Sequence, residues 1–376
     1  KTKFDVYLLC GKGGILDYKT TELKNKYGVK IFFIKNLVRE ISPWKDFLAL
    51  KDLVIKLDEI QPDIIHTHSS KAGILGRLAG YFLNLLNKDL NHRIKIVHTF
   101  HGFGFNKFQK LLVRNFYILL EYLVAKVSDK LIFVSKSNMF DVATKYKIGN
   151  LKNYVLIRSG IKISYYQQSC DDPLLKKKVL TEIQLPFDSK IVTTIGPFKP
   201  QKNLVDFIQV AKMVLDSNEL FTETKNKLYF LIAGDGEQRP LLEKKVEEYN
   251  LLNKVKFLSW YTNIAGLLAI TDIFVMTSLW EGLPRSALEA LSSGVPVVAY
   301  NTDGLNDVII SDFNGYLVNI KDVNNLSLRI IELLNNKTKL SRLKNNAKNS
   351  LDKTFDIDYM VKQQEELYCF LVNLKF

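Results

Sequence analysis

The chain has 376 residues, 47% of them hydrophobic, with three cysteines and a formal net charge of +14. That length and apolar content lead to two or three soluble α/β domains with real cores. Cys10, Cys170 and Cys369 are odd in number and far apart, which argues against a disulfide framework and a cysteine metal site and for a reducing compartment. No run reaches the roughly 18 uninterrupted apolar residues of a spanning helix, and the chain start lacks a signal-peptide layout.

In chain order, "KFDVYLLC", "VKIFFI", "PDIIHTH", "RIKIVHTF" and "DKLIFVS" are predicted buried strands, separated by helical stretches such as "FLALKDLVIKLDEI" and "AGILGRLAGYFLNLL". Residues 161–186, with Cys170, "DDP" and "KKK", have the composition of a linker. The alternation resumes with "SKIVTTIG", "LYFLIAGDG", "NKVKFLSW", "TDIFVMTS", "VPVVAY" and "GYLV". Two doubly wound parallel domains around a cleft follow from this pattern.

Charge divides unevenly. Residues 1–186 hold 31 Lys and Arg against 16 Asp and Glu, a net +15, whereas residues 187–376 hold 22 against 23, a net −1. One half is therefore expected to face an anionic partner: phospholipid, a lipid-linked phosphate sugar or nucleic acid. In "NKFQKLLVRNFYILLEYLVAKVSDK" (106–130), Lys107, Lys110, Arg114, Lys126 and Lys130 interleave with a long apolar run. This reads as a helix whose apolar middle belongs to the domain core and whose wet basic edge holds the domain against anionic lipid, so salt-sensitive peripheral membrane binding is expected.

Chemistry is expected where strands end. In "WEGLPRSALEALSSGVPVVAY" (280–300) a strand is followed by a breaker loop, a helix closed by Gly294 and a second buried strand. Pro284 suits the first helical turn, and the amides of residues 283–286 offer a helix N-terminus to a diphosphate. Glu281 lies on the loop, and Glu289 lies away from the packing side formed by Ala287, Leu288, Ala290 and Leu291. "IGPFKPQKN" brings Lys199 and Lys202 to a Gly/Pro loop after a strand, suited to phosphate oxygens.

His66, His68, His98 and His101 end strands in the basic half. Alternate residues of a strand point to opposite faces and no carboxylate converges on these histidines, so no metal site is expected there. "FDID" (355–358) precedes an amphipathic helix and is read as its cap rather than as a divalent-ion site. A Walker lysine motif, a G-x-S-x-G elbow and an H-E-x-x-H pair are missing, which removes the common hydrolase and ATPase readings.

Together, "NLVREISPWKD", "PDIIHTHSSKAGILGRLAG", "HTFHGFGF", "DKLIFVSKSN", "LIRSGI", "FKPQKN", "LIAGDGE", "DIFVMTSLWEGLPRSALEALSSGVPVVAYNTDGLNDVI" and "NGYLV" resemble, in order, the retaining glycosyltransferases of family 4. The resemblance implies a GT-B architecture of two Rossmann-like domains facing a central cleft. Residues 1–170 would form the acceptor-side domain, without the first βα unit of the family. Residues 187–355 would bind the nucleotide sugar, and residues 356–376 would form a helix packing back on the N-terminal domain.

Glu281 and Glu289 resemble the family's E-x7-E pair, the first beside the donor sugar and the second on the ribose. His101 resembles the histidine that contacts the donor sugar. Lys202, with Lys199, takes the diphosphate, because Pro197 stands where the family usually has Arg. Gly282, Leu283 and Pro284 with their amides, and Gly13 and Gly14, complete the donor site.

The implied reaction moves a sugar from a nucleoside diphosphate sugar, a UDP-sugar by expectation, to a glycan or polyprenyl-diphosphate-linked acceptor. No cofactor and no metal are expected. The resemblance further implies a cytoplasmic protein, peripheral on the inner face of the cell membrane and held to its anionic surface. Nucleic acid is not expected, since no recognition motif accompanies the basic half. A sugar-nucleotide epimerase of the same fold and a non-catalytic sugar-nucleotide-binding or scaffold protein are the alternative readings.

Overall fold

Runs rich in Ile, Val and Phe, bounded by Gly, Pro, Asn and Asp, form parallel strands that alternate with helices, as their patterning demands. In this computed structural model residues 4–13, 19–38, 40–87 and 93–374 are described. They divide into two units. The first comprises Lys1–Phe133, Met139–Leu156 and Glu366–Phe376; the second comprises Val134–Asn138 and Ile157–Glu365.

The first unit contains strands β1 (Tyr7–Cys10), β2 (Lys30–Phe33), β3 (Ile64–His68), β4 (Lys95–Phe100), β5 (Lys130–Phe133) and β6 (Tyr154–Leu156). β1 pairs with β2, and β3-β4-β5-β6 form a second parallel sheet. Helices α1 (Lys19–Tyr27), α2 (Pro43–Ile60), α3 (Ser70–Leu86) and α4 (Leu111–Ala125) connect them, and α5 (Lys136–Asp141) follows β5. Ala49, Leu53 and Leu57 of α2 pack with Leu75, Ala79 and Leu83 of α3 and with Ile65 of β3. On the other side, Phe100, Leu131 and Phe133 pack with Ala125, Val142 and Ile148. The short strand β6 carries no run long enough to be predicted from sequence.

The second unit begins with α6 (Ile163–Ser169) and α7 (Pro173–Glu182). The linker expectation for residues 161–186 is therefore wrong. Asp172 caps α7 through the amides of Leu174 and Leu175, Pro173 occupies the first turn, and Val179, Leu180 and Ile183 enter the core. Lysines 176–178 made the segment look solvated, but they occupy one stretch of a helix whose Leu175, Val179 and Leu180 pack inward.

Six parallel strands follow: β7 (Lys190–Ile195), β8 (Leu228–Ala233), β9 (Val255–Phe257), β10 (Ile273–Met276), β11 (Val297–Tyr300) and β12 (Gly315–Val318), in the spatial order β12-β11-β10-β7-β8-β9. The order reverses between β7 and β10, and in open α/β sheets ligands bind at the carboxyl ends of strands at such a switch point.

Helices α8 (Leu204–Asp216), α9 (Thr222–Lys227), α10 (Arg239–Glu248), α11 (Ile264–Ala269), α12 (Arg285–Ser292), α13 (Val323–Asn335) and α14 (Lys337–Lys348) complete the unit, and α15 (Ile357–Leu371) ends the chain's helices. One sheet face buries Val192, Phe230, Ile232 and Val298 against α8, α10 and α13. The other buries Phe274, Met276, Val297 and Ala299 against Ala287, Leu288 and Leu291 of α12. Asp356 caps α15, its carboxylate accepting the amide N–H of Asp358 at 2.9 Å, so the capping expectation for "FDID" holds. Among the described residues no helix is long and apolar enough to cross a membrane.

Candidate active site

The loop after β7 and the loop after β10 lie at the switch point and are joined by backbone and side-chain bonds. The amide of Leu279 donates to the Gln201 carbonyl at 2.8 Å, and the Gln201 side-chain amide donates to the Trp280 carbonyl at 2.8 Å. The Thr277 hydroxyl donates to the Lys202 carbonyl at 3.0 Å. Asn203, in the left-handed region at φ 47°, turns the chain into α8 directly after Lys202. This stitching leaves the Lys202 ammonium 2.5 Å from Glu281, with both side chains largely buried. Gln201 and Thr277 set the geometry; both lie inside stretches marked by the sequence, but as uncharged residues they drew no role there.

Two close backbone approaches hold the surrounding loops. A Cβ on Gly304 would lie 1.4 Å from the carbonyl oxygen of Gly282, so the loop of Gly282, Leu283 and Pro284 is pressed against the turn after β11. A Cβ on Gly234, at φ 144°, would lie 1.9 Å from the Gly196 carbonyl oxygen. Only glycine allows these contacts. Gly282, Leu283 and Pro284 are buried, and Pro284 precedes α12 in extended conformation. Lys199 sits on the same loop as Lys202 and makes no ion pair among the described residues.

Glu289 lies in the middle of α12, half-buried. Burial pushes its carboxyl up from the usual range, opposed by a hydrogen bond from the Tyr166 hydroxyl and by the Arg285 charge. Tyr166 comes from α6, within the segment read as a linker, and was therefore missed. A run of Tyr165 and Tyr166 beside apolar Ile161 and Ile163 was the available signal.

In the first unit three histidines lie side by side, His68 stacked on His101 and tilted against His66. The His66 and His68 rings lie 4.3 Å apart and His68 Nδ1 is 2.9 Å from His101 Nε2. Contrary to expectation, strand alternation does not separate His66 from His68, because residues two apart on a strand share a face. His98, one residue out of phase, lies elsewhere, bonded through Nδ1 to the Thr67 hydroxyl at 2.9 Å.

His66 also bonds the hydroxyls of Thr99, at 2.7 Å, and Tyr368. Burial, then the neighbouring His68 and His101, lower His66 to about 3, and burial with His101 lowers His68 to about 4. Burial lowers His101 as well. These rings are neutral near pH 7, with nitrogens available to share protons with hydroxyl groups. Among the described residues no group of three or more His, Cys, Asp or Glu side chains is arranged to hold a metal ion. Gly13 is exposed at φ 96°, and Gly14 lies outside the described residues.

Comparison with known proteins agrees with this architecture. The family profile "Glycosyl transferases group 1" matches residues 177–350 and "Glycosyltransferase Family 4" matches residues 1–165. The chain is 30% identical over 372 residues, 98% of its length and 90% of the relative's, to UDP-Gal:alpha-D-GlcNAc-diphosphoundecaprenol alpha-1,3-galactosyltransferase of Escherichia coli. It is 26% identical to N-acetyl-alpha-D-glucosaminyl L-malate synthase of Bacillus anthracis, covering 92% of this chain and 85% of that one.

Among solved structures, Anabaena Alr3699/HepE in complex with UDP superposes with a TM-score of 0.74 at 17% identity, covering 97% of this chain and 99% of the other. The profile matches, the full-length relative and the α/β architecture agree, and the chain belongs to the family 4 glycosyltransferases of GT-B fold.

Proposed function

We propose that this enzyme transfers a sugar from a UDP-sugar to a lipid-linked saccharide, with retention of configuration at the anomeric carbon and without a metal ion. The observation that carries this reading is the buried Lys202–Glu281 pair at the sheet's switch point, with Glu289 eight residues further on α12. The E. coli relative's name specifies a UDP-galactose donor and a diphosphoundecaprenol-linked acceptor, which supports both substrate classes.

In this reading Glu289 accepts hydrogen bonds from the ribose hydroxyls. Lys202, assisted by Lys199, lies against the diphosphate, and the amides that open α12 after Gly282, Leu283 and Pro284 face phosphate oxygens. Glu281, paired with Lys202, sits beside the donor sugar, and His101 contacts that sugar as well. Gly13 and Gly14 are assigned to the donor's surroundings.

The bond between the anomeric carbon and the diphosphate oxygen breaks while an acceptor oxygen attacks on the face being vacated. The acceptor hydroxyl proton passes to the departing phosphate oxygen. Negative charge therefore grows on the phosphate, where an ammonium and oriented amides stabilise it most. No protein nucleophile enters.

The basic half, residues 1–186, fits a protein that works on the inner, anionic face of a cell membrane, where a polyprenyl-diphosphate acceptor would be presented. Nucleotide sugars screened for thermal stabilisation, followed by transfer of labelled sugar to a diphosphopolyprenyl saccharide, test the reading. Label transferred with retained anomeric configuration is expected. An isomerised nucleotide sugar with no transfer would make the protein an epimerase, and donor binding without turnover of any acceptor would make it a binding protein.

A further inference from the structure

Helix α4 leaves one face of its apolar middle exposed, although Tyr117 and Ile118 pack against the core. Leu112 is 86% exposed, Phe116 54%, Leu119 53% and Leu123 49%. Their spacing of four, three and four residues puts all of them on one stripe of the helix, along about 17 Å of its axis. The expectation that this run belongs to the core is therefore wrong for the outward face.

The reason lies on the opposite face. Glu121 of α4 is buried and paired with the fully buried Arg77 of α3 at 2.6 Å, and Val124 and Ala125 are buried beside it. A charge pair taken out of water must keep its partner, because an unpaired buried charge is costly, so the pair fixes the rotation of α4 about its axis. With Glu121 turned inward, the Leu112–Leu123 stripe must face out.

The charges around the stripe are of one sign. Lys107, Lys110 and Lys126 are exposed, and the Lys126 ammonium stands 4.5 Å from the Tyr122 ring centre on the flank of the stripe. Arg114 turns partly inward and Lys130 is bonded to the Lys152 carbonyl, so those two do not contribute to the rim. Between residues 106 and 128 the single carboxylate is Glu121, which is buried. The exposed surface of this helix is thus leucine and phenylalanine bordered by lysine and tyrosine, with no acid. Two copies of the chain meeting through such a face would bring lysines together without a counter-charge, whereas an anionic bilayer supplies hydrocarbon for the stripe and phosphates for the rim.

We infer that α4 is a membrane-inserting face: Leu112, Phe116, Leu119 and Leu123 enter the acyl boundary of an anionic bilayer, while Lys107, Lys110 and Lys126 lie at its phosphate level. This deepens the membrane-surface reading above by naming the element and by adding an apolar contribution that salt does not screen.

Full-length protein is centrifuged with vesicles of phosphatidylcholine alone and of phosphatidylcholine with about 30% phosphatidylglycerol, the anionic lipid supplying the surface potential. The expected result is binding to the anionic vesicles that weakens in about 0.5 M NaCl but does not vanish, since salt screens only the charges. Replacing Leu112→Gln, Leu119→Gln and Leu123→Gln together should lower the partition coefficient at least about tenfold, because each leucine loses its transfer into hydrocarbon. Thermal unfolding and UDP affinity should change little, because these three side chains are 86%, 53% and 49% exposed and none belongs to a buried core cluster.

A Leu119→Trp variant should gain fluorescence quenching by brominated lipid beyond that of the wild type. If the triple glutamine variant binds as tightly as wild type while Lys107→Gln, Lys110→Gln and Lys126→Gln abolish binding, insertion is overturned and a purely electrostatic membrane contact remains. Absence of binding to anionic vesicles at low salt overturns both. A wild-type dimer in sedimentation velocity that the triple glutamine variant dissociates would reassign the stripe to self-association.

Discussion

Lys202 Nζ lies 2.5 Å from Glu281 Oε1, although 79 residues separate them in sequence, because Gln201 and Thr277 join their two loops. Lys202→Ala should lower UDP affinity at least about tenfold, since a charged donor to the diphosphate is lost. It should also lower stability by roughly 3 to 5 kcal/mol, because Glu281 would be left buried and unpaired. The double variant Lys202→Met with Glu281→Gln should recover most of that stability and none of the turnover. Calorimetric UDP titration, thermal unfolding and a transfer assay measure the three quantities. Full stability in Lys202→Ala alone would show that the pair contributes nothing to the fold.

Glu289→Ala should weaken UDP binding by roughly 1.5 to 3 kcal/mol for each ribose hydrogen bond removed, whereas Glu281→Ala should spare UDP affinity and reduce turnover. Burial raises the pKa of Glu289, so its carboxylate takes up a proton at a higher pH than an exposed glutamate does. UDP affinity is accordingly expected to fall on acidification before ordinary carboxylates titrate, and Glu289→Gln should remove that pH dependence. Titrations at a series of pH values check both statements.

The adjoining His66 and His68 rings make stability depend on pH. His66 and His68 protonate at about 3 and about 4 in the folded chain but near 6.5 when unfolded. Between those values the unfolded state binds more protons, so the stability contributed by the neutral rings is complete above about 6.5 and declines as pH falls toward 4. Thermal unfolding followed from pH 7.5 to 4.5, about three units around the unfolded pKa, should show a falling midpoint, and His66→Gln should flatten the curve. A curve with the same slope in that variant would place the acid lability elsewhere.

Turnover should persist in excess EDTA, because lysine and helix amides serve to balance the charge of the departing diphosphate. The check is the transfer rate before and after chelation. Complete loss, restored by Mn²⁺ or Mg²⁺, would bring a metal back into the mechanism.

The sequence alone determined every strand but the three-residue β6, because a buried parallel strand is a short β-branched run between breakers, and "GYLV" could be read to the residue as Gly315–Val318. It also determined that Glu281 belongs to a loop and Glu289 to the following helix, since Pro284 and Gly294 bound that helix locally. Residues 161–186 were misread, because lysine-rich composition describes the wet side of a helix and is silent on what its other side packs against.

Tertiary structure alone decided which side chains meet. Lys202 reaches Glu281 through bonds between loops distant in sequence, Tyr166 reaches Glu289 from a helix that composition concealed, and His66, His68 and His101 converge from β3 and the end of β4. The outward turn of Leu112, Phe116, Leu119 and Leu123 is likewise invisible in the sequence, because an amphipathic pattern does not say which stripe faces out. That choice was made by Arg77, one helix away, whose buried charge draws Glu121 inward.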